Sequence, residues 1–262
     1  MKYGFIGTGN MGGAIARAVC KSVGGDQVLL ANKTMEKAQK LAGELECHFG
    51  LNQDAASCDY VFLGVKPHMM EDMLIEVRHL FKPETVLVTM AAGLTMETIR
   101  RMAGGDFPVI RMMPNTPAAI GEGMIQYCCT GVSDTQESEF RNAMKFAGRL
   151  DKLDEKLIDA ASCVSGCGPA WTYMFIEALA DGGVACGLPR AKAQEYAAQM
   201  LVGAAKLVLD SGKHPGQLKD EVCSPGGSTI QGVRALEDHG FRGSIMEAVI
   251  AAYQKTKEIA NS

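Results

Sequence analysis

The sequence has no long uncharged apolar run, no block of like charge, no cysteine pair at C-x-x-C spacing and only one tryptophan. Each absence excludes something. The apolar stretches of the second half are interrupted by Glu177, Asp181, Lys192 and Lys206, which argues against a membrane span. With 26 Lys and Arg against 30 Asp and Glu, the net charge is −4, and no basic stripe offers a nucleic-acid footprint. Nine cysteines and five histidines occur without metal-ligand spacing, so no metal is expected. An odd number of cysteines, with a first stretch (MKYGFIGTGNMGG) that lacks the pattern of a secretory signal, leads us to expect reduced thiols and a cytoplasmic protein. There is no Pro/Ser-rich linker, internal repeat or low-complexity segment. What remains is a chain of 262 residues, 47% hydrophobic, with enough material for one large globular domain or two ordinary ones.

The first half alternates between two periodicities. YGFIG, QVLLANK, YVFLGVK and TVLVTMAAG are apolar runs of strand length. Between them NMGGAIARAVCKS, MEKAQKLAGEL and MEDMLIEVRHLF have helical spacing. Continuous apolar strands separated by amphipathic helices predict a mostly parallel sheet covered on both faces. METIRRM, FPVIRMM and GEGMIQYC continue the alternation, and TQESEFRNAMKFAGRL closes it as a helix. From about Leu153 the strand signal stops, and residues 155–163, 169–187, 189–210, 228–239 and 243–260 read as helices. A domain boundary is therefore expected near residue 153.

GFIGTGNMGGAIARA holds Gly7-x-Gly9-x-x-Gly12 between the first strand and first helix. Gly7 permits the tight turn, Gly9 the approach of a pyrophosphate, and Gly12 the packing of helix on strand. An ordinary glycine turn is the alternative, but the strand–turn–helix context favours a dinucleotide. The second strand ends in Asn32, Lys33 and Thr34, where an NAD-preferring site usually carries an acidic residue. Amide, ammonium and hydroxyl groups can donate to a 2′-phosphate, so NADPH is expected to be preferred, with NADH also usable. The alternative reading of Lys33 is a solvated first-turn lysine. GVKP (64–67), MAAG (90–93) and MMPNTP (112–117) fall at the carboxyl ends of strands, where ligands of doubly wound sheets bind. Val65, Lys66, Pro67, Ala91, Ala92 and Gly93 are thus cofactor candidates. Lys66 could be a general acid, but with no acid or base partner in view it reads better as a strand-end lysine bonding backbone or cofactor.

Two more glycine stretches lie in the second half, SGCGPAW (165–171) and VCSPGGSTIQG (222–232). Gly226-Gly227 before a helix exposes backbone amides at its N-terminus, a ready anion site, and Ser228 and Thr229 add hydroxyls. Gly166 to Gly168 let a helix start pass close to backbone or ligand, and Pro169 suits a first helical turn. Structural and substrate-contacting roles for that stretch stand level.

Together with GFIGTGNMGGAI, GVKP, AAG, RMMPNTPA, EALADGGVACGLPR and SPGGSTIQGVRALEDHGFRG, these stretches resemble the pyrroline-5-carboxylate reductase family over essentially the whole chain. SPGGSTI is its most specific part. The resemblance implies an α/β protein: a Rossmann-type, doubly wound, mostly parallel sheet (1–153) followed by an all-α dimerisation domain (154–262). It implies reduction of the C=N bond of 1-pyrroline-5-carboxylate to L-proline, the last step of proline synthesis, by a homodimer that in several members builds decamers. NADPH contacts are implied at Gly7, Thr8, Gly9, Asn10, Met11, Gly12, Asn32, Lys33, Thr34 and Asn52, besides the crevice residues above. Substrate contacts are implied at Glu155, Gly226, Gly227, Ser228 and Thr229, with the Thr229 hydroxyl near the ring nitrogen as the catalytic group. The chain departs from the family pattern at Cys167 and Trp171, where Ser and Tyr are usual, and at Glu221, where some relatives have a cofactor-binding Asn. The competing readings are another NADPH-dependent imine or hydroxyacid reductase, and a non-catalytic NADPH-binding sensor. The first generally needs a lysine in FIEALADGG, which has none; the second has no need of SPGGSTI.

Overall fold

Four strands, β1 (Tyr3–Ile6), β2 (Val28–Ala31), β4 (Tyr60–Leu63) and β5 (Val86–Thr89), are buried at every position. That is why they read as unbroken apolar runs: each strand is covered on both faces. The structure, a computed structural model, describes residues 1–260. With β3 (His48–Gly50), β6 (Val109–Met113), β7 (Gly123–Thr130) and β8 (Gly148–Lys152), these strands form one eight-stranded sheet in the order β3-β2-β1-β4-β5-β6-β7-β8. All neighbours are parallel except β6 and β7. The order reverses between β1 and β4, so the crevice for a ligand opens outside their carboxyl ends.

Side chains alternate across the sheet. Phe5, Phe62, Val88 and Ile110 face a core shared with Ile15 and Val19 of α1 (Asn10–Val23), Leu41 of α2 (Met35–Leu45) and Phe140 of α6 (Asp134–Ala143). Ile6, Leu63, Leu87 and Val109 face the other core, with α3 (Asn52–Ala56), α4 (Met70–Val77), α5 (Met96–Ala103) and α7 (Glu155–Ser165). Some segments depart from the sequence reading, β8 and α10 (Pro215–Val222) among them. The helix expected to run to Leu150 stops at Ala143, and β8 follows instead. Gly148 has φ +132°, and a Cβ there would lie 2.1 Å from the Gly123 carbonyl oxygen, so the chain must cross β7 closely at this point.

The chain divides into two compact units, Met1–Pro169 together with the chain from Ala252 onward, and Ala170–Ala251. The sheet-bearing unit therefore runs past the expected boundary at 153. The reason is α7: Ile158 is fully buried in the second core, and Asp159 pairs with Arg111 of β6. The second unit is helical, built from α8 (Gly168–Ala185) after its first turn, α9 (Arg190–Ser211), α10 (Pro215–Val222), α11 (Ser228–Asp238) and the first half of α12 (Phe241–Ala260). Among its residues only Ala180, Ala193 and Ala197 are buried hydrophobics, whereas Met174, Leu209 and Met246 are each more than 60% exposed. No helix among the described residues is long and apolar enough to cross a membrane.

Candidate active site

The glycine loop is held together by backbone touching backbone. Gly7 has φ +96°, and a Cβ on it would meet the Gly64 carbonyl carbon at 2.7 Å. A Cβ on Gly12 would lie 2.1 Å from the Gly7 oxygen, and one on Gly64 would lie 2.3 Å from the same atom. Gly64, the first residue of GVKP, thus belongs to the same close-packed knot, a role its sequence context does not announce. Gly9 differs: nothing lies within 4 Å of its missing side chain. Above Gly9 the loop is open.

This geometry fits a pyrophosphate. The N-terminus of α1 has no side-chain cap and no acidic residue in its first turn, so its amides keep their partial positive charge for an anion. The Thr8 hydroxyl is buried and has no hydrogen-bond partner among the described residues. Such an orphan group inside a glycine loop is explained if a ligand oxygen completes it. Asn10, Met11 and Gly12 form the first turn of this helix.

Asn32 has a second task that the sequence does not reveal. Its Oδ1 accepts the Thr8 amide at 3.1 Å, and its Nδ2 donates to the Thr34 carbonyl at 3.1 Å. It therefore ties the phosphate loop to the turn after β2. Lys33 and Thr34 are exposed there, with no ion pair to Lys33 among the described residues. Asn52 opens α3 immediately after β3. Lys66 is exposed and has no side-chain partner among the described residues, Val65 packs on the second core, and Pro67 begins a short 3-10 turn. The loop after β5 is tight: the Ala91 amide donates to Thr89 Oγ1 at 3.3 Å, and Gly93 has φ +78°. All these groups stand at the carboxyl ends of parallel strands.

Glu155 sits elsewhere in this unit. Its Oε1 accepts the Met96 amide, the first of α5, at 2.7 Å, and lies 3.5 Å from Nη1 of buried Arg111. Its exposed side borders an open groove of about 660 Å³ that runs along α5 beside Arg100, Arg101 and Asp106. A carboxylate so committed caps a helix and neutralises a guanidinium. The stretch SGCGPAW also finds a structural role. Asn115 Nδ2 donates to the Ser165 carbonyl at 2.9 Å, the last of α7, while its Oδ1 accepts the Met124 amide. Gly166 follows because a Cβ there would come 2.8 Å from the Ser162 oxygen.

In the second unit, Ser224-Pro225-Gly226-Gly227 makes a turn in which the Gly227 amide donates to the Ser224 carbonyl at 3.0 Å. Proline second and a glycine with φ +70° third are the residues such a turn demands. The turn delivers the chain into α11, whose N-cap is Gly227 and whose first residues are Ser228 and Thr229. Both are exposed, and their hydroxyls have no hydrogen-bond partner among the described residues. No group of His, Cys, Asp and Glu among the described residues could hold a metal.

Residues 155–259 match the family model described as pyrroline-5-carboxylate reductase dimerisation, and residues 2–93 the one described as NADP oxidoreductase, coenzyme F420-dependent. The chain is 38% identical to the pyrroline-5-carboxylate reductase of Escherichia coli (strain K12), across 100% of this chain and 99% of that one. It is 41% identical to the Arabidopsis thaliana enzyme, across 100% and 96%. The chain belongs to the pyrroline-5-carboxylate reductase family. A Plasmodium falciparum pyrroline carboxylate reductase solved with NADP bound superposes with a TM-score of 0.90 at 30% identity, over 99% of this chain and 98% of that one. A Streptococcus pyogenes 1-pyrroline-5-carboxylate reductase gives 0.90 at 31%, over 98% of each chain. This family member is an oxidoreductase with an NADP-type nucleotide-binding unit, and its helical part is a dimerisation domain. The bare apolar faces of α8, α9 and α12 are what such a domain needs.

Proposed function

We propose that the enzyme reduces 1-pyrroline-5-carboxylate to L-proline with NADPH as donor, the last step of proline synthesis. The observation that carries this reading is the Ser224–Thr229 turn, which presents the first amides of α11 and two hydroxyls without a partner among the described residues to an anion, within a chain related to these reductases over its full length. Bound at the β1–α1 loop, the dinucleotide supplies the hydride. The chain supplies placement and electrostatics. Gly7 to Gly12 hold the pyrophosphate, and Ala91 to Gly93 leave room for a flat ring. Gly226 and Gly227 shape the turn so that the Ser228 amide and hydroxyl grip the substrate carboxylate at the N-terminus of α11. Thr229 donates a hydrogen bond to the ring nitrogen, which gains electron density as hydride reaches the neighbouring carbon and takes the balancing proton from solvent. We assign no substrate contact to Glu155, whose oxygen is already engaged at α5. Loss of NADPH absorbance on adding the cyclic imine tests the reading, and no oxidation above background would overturn it.

The proposed preference for NADPH over NADH rests on Lys33 and Thr34, whose exposed side chains at the end of β2 have no partner among the described residues. Lys33→Asp should reduce the ratio of kcat/KM for NADPH over that for NADH by about tenfold or more, because like charges then meet at the 2′-phosphate. An unchanged ratio would place that phosphate elsewhere.

A homodimer is the smallest assembly that covers the second unit. Leu179, Met200 and Val202, expected from their helical positions to need burial, are 38%, 48% and 48% exposed in the single chain. Light scattering should show no monomer at micromolar concentration, with the dimer or a multiple of it such as a decamer present. A stable, active monomer would count against it.

A further inference from the structure

A buried guanidinium needs a reason. Arg111 lies on β6 in the second core with its side chain 2% exposed, among Val109, Cys128 and Ile158. Removing such a charge from water costs several kcal/mol before its partners repay it, and an apolar residue would fill the space without that cost. Two carboxylates one helical turn apart on α7 meet it. Asp159 Oδ1 contacts Nη2, and Glu155 Oε1 stands 3.5 Å from Nη1. Lys257 Nζ, 3.6 Å from Asp159 Oδ2, completes a cluster of two cations and two anions. Asp159 makes the closer contact to Arg111, so Glu155 serves a second purpose beside that ion pair. It accepts the Met96 amide at 2.7 Å.

Met96 ends the segment that begins after Thr89, the last residue of β5. This is the Met90–Thr95 loop, whose Ala91, Ala92 and Gly93 follow the carboxyl end of β5, where ligands of such sheets bind. The loop is anchored at its start by Thr89 Oγ1 and at its end by the Glu155 carboxylate. We propose that Glu155, aligned by Arg111, is a positioning residue that fixes the β5–α5 loop for the nicotinamide half of the cofactor. The assignment rests on the reductase reading, although it concerns cofactor binding and not the substrate. It gives the buried charges a role in shaping the crevice as well as in holding α7 on the sheet.

The test is a titration of the full-length protein with NADPH, followed by the fluorescence of the bound nucleotide, in parallel with steady-state kinetics. Glu155→Ala removes the anchor and should weaken NADPH binding about tenfold, the scale of one lost hydrogen bond to a charged acceptor. Glu155→Gln keeps an oxygen for the Met96 amide and should restore most of that loss. KM for pyrroline-5-carboxylate should stay within about twofold of wild type in both variants, since a change of 0.4 kcal/mol is already that large. A lower melting temperature with unchanged NADPH affinity would reduce Glu155 to a structural residue and overturn the proposal. So would an increased KM for pyrroline-5-carboxylate with normal NADPH binding, which would make it a substrate contact. If wild type binds NADPH but does not oxidise it with this imine, the reductase reading fails while the titration still decides the role of Glu155.

Discussion

Alanine at Gly9 and alanine at Gly12, three residues apart in one loop, are expected to fail in different ways. At Gly12 the new Cβ would lie 2.1 Å from the Gly7 carbonyl oxygen, a backbone atom that is itself packed against Gly64. The loop cannot yield locally, so α1 must move off the sheet, with a loss of about 3 kcal/mol or more, as for overpacking at its worst. At Gly9 the Cβ meets nothing within 4 Å, and the backbone is extended with φ −69°. Gly9→Ala should therefore change the stability of the unliganded protein by no more than about 1 kcal/mol, the cost of a poorer N-cap residue. What it fills is the space a pyrophosphate would enter. We expect NADPH affinity to fall about a hundredfold, since both phosphate hydrogen bonds and the helix-end contact lengthen together. Thermal melting without cofactor and a fluorescence titration with NADPH separate the two failures. Normal NADPH binding by Gly9→Ala would mean that the phosphates do not lie over this loop.

The contrast between these two glycines was only half legible in the sequence. The spacing Gly7-x-Gly9-x-x-Gly12 and the apolar runs of β1, β2, β4 and β5 are local signals, and the structure forms them as read. The contribution of Gly64 is not local, because it depends on β4 lying beside β1. Short edge strands were illegible for a related reason. β3 has three residues, none of them buried, and β8 reads GRLDK with no apolar alternation. Each is a strand because a neighbour pairs with it. Helix α10 had a usable signal that went unread: Pro215 at its first position, preceded by His214, whose Nδ1 accepts the Gly216 amide at 3.0 Å. Arg111 offered none. Within FPVIRMM it passes for an exposed strand residue, and its partners Glu155 and Asp159 are 44 and 48 positions away.

Thr229→Val is expected to fold, bind NADPH and lose between about tenfold and a thousandfold in kcat/KM for pyrroline-5-carboxylate, the range seen when one donor to a developing charge is removed. The substitution keeps the volume and deletes the hydroxyl. A capping role would tie that hydroxyl to a neighbouring amide, but the N-cap of α11 is Gly227, and the Thr229 hydroxyl has no partner among the described residues. Its removal should therefore leave the melting temperature almost unchanged. In the proposed reaction the ring nitrogen gains electron density as the adjacent carbon is reduced, and a hydrogen bond from Thr229 would strengthen at the same moment. A contact that is stronger in the transition state than in the bound substrate lowers the barrier, so kcat must fall and not KM alone. Ser228→Ala, by comparison, removes one donor to a carboxylate whose charge does not change during the reaction. It should raise KM by a fewfold at most and leave kcat intact. If Thr229→Val turns over at the wild-type rate, the amides of the Gly226–Thr229 turn carry the catalysis, and the hydroxyl serves no purpose in it.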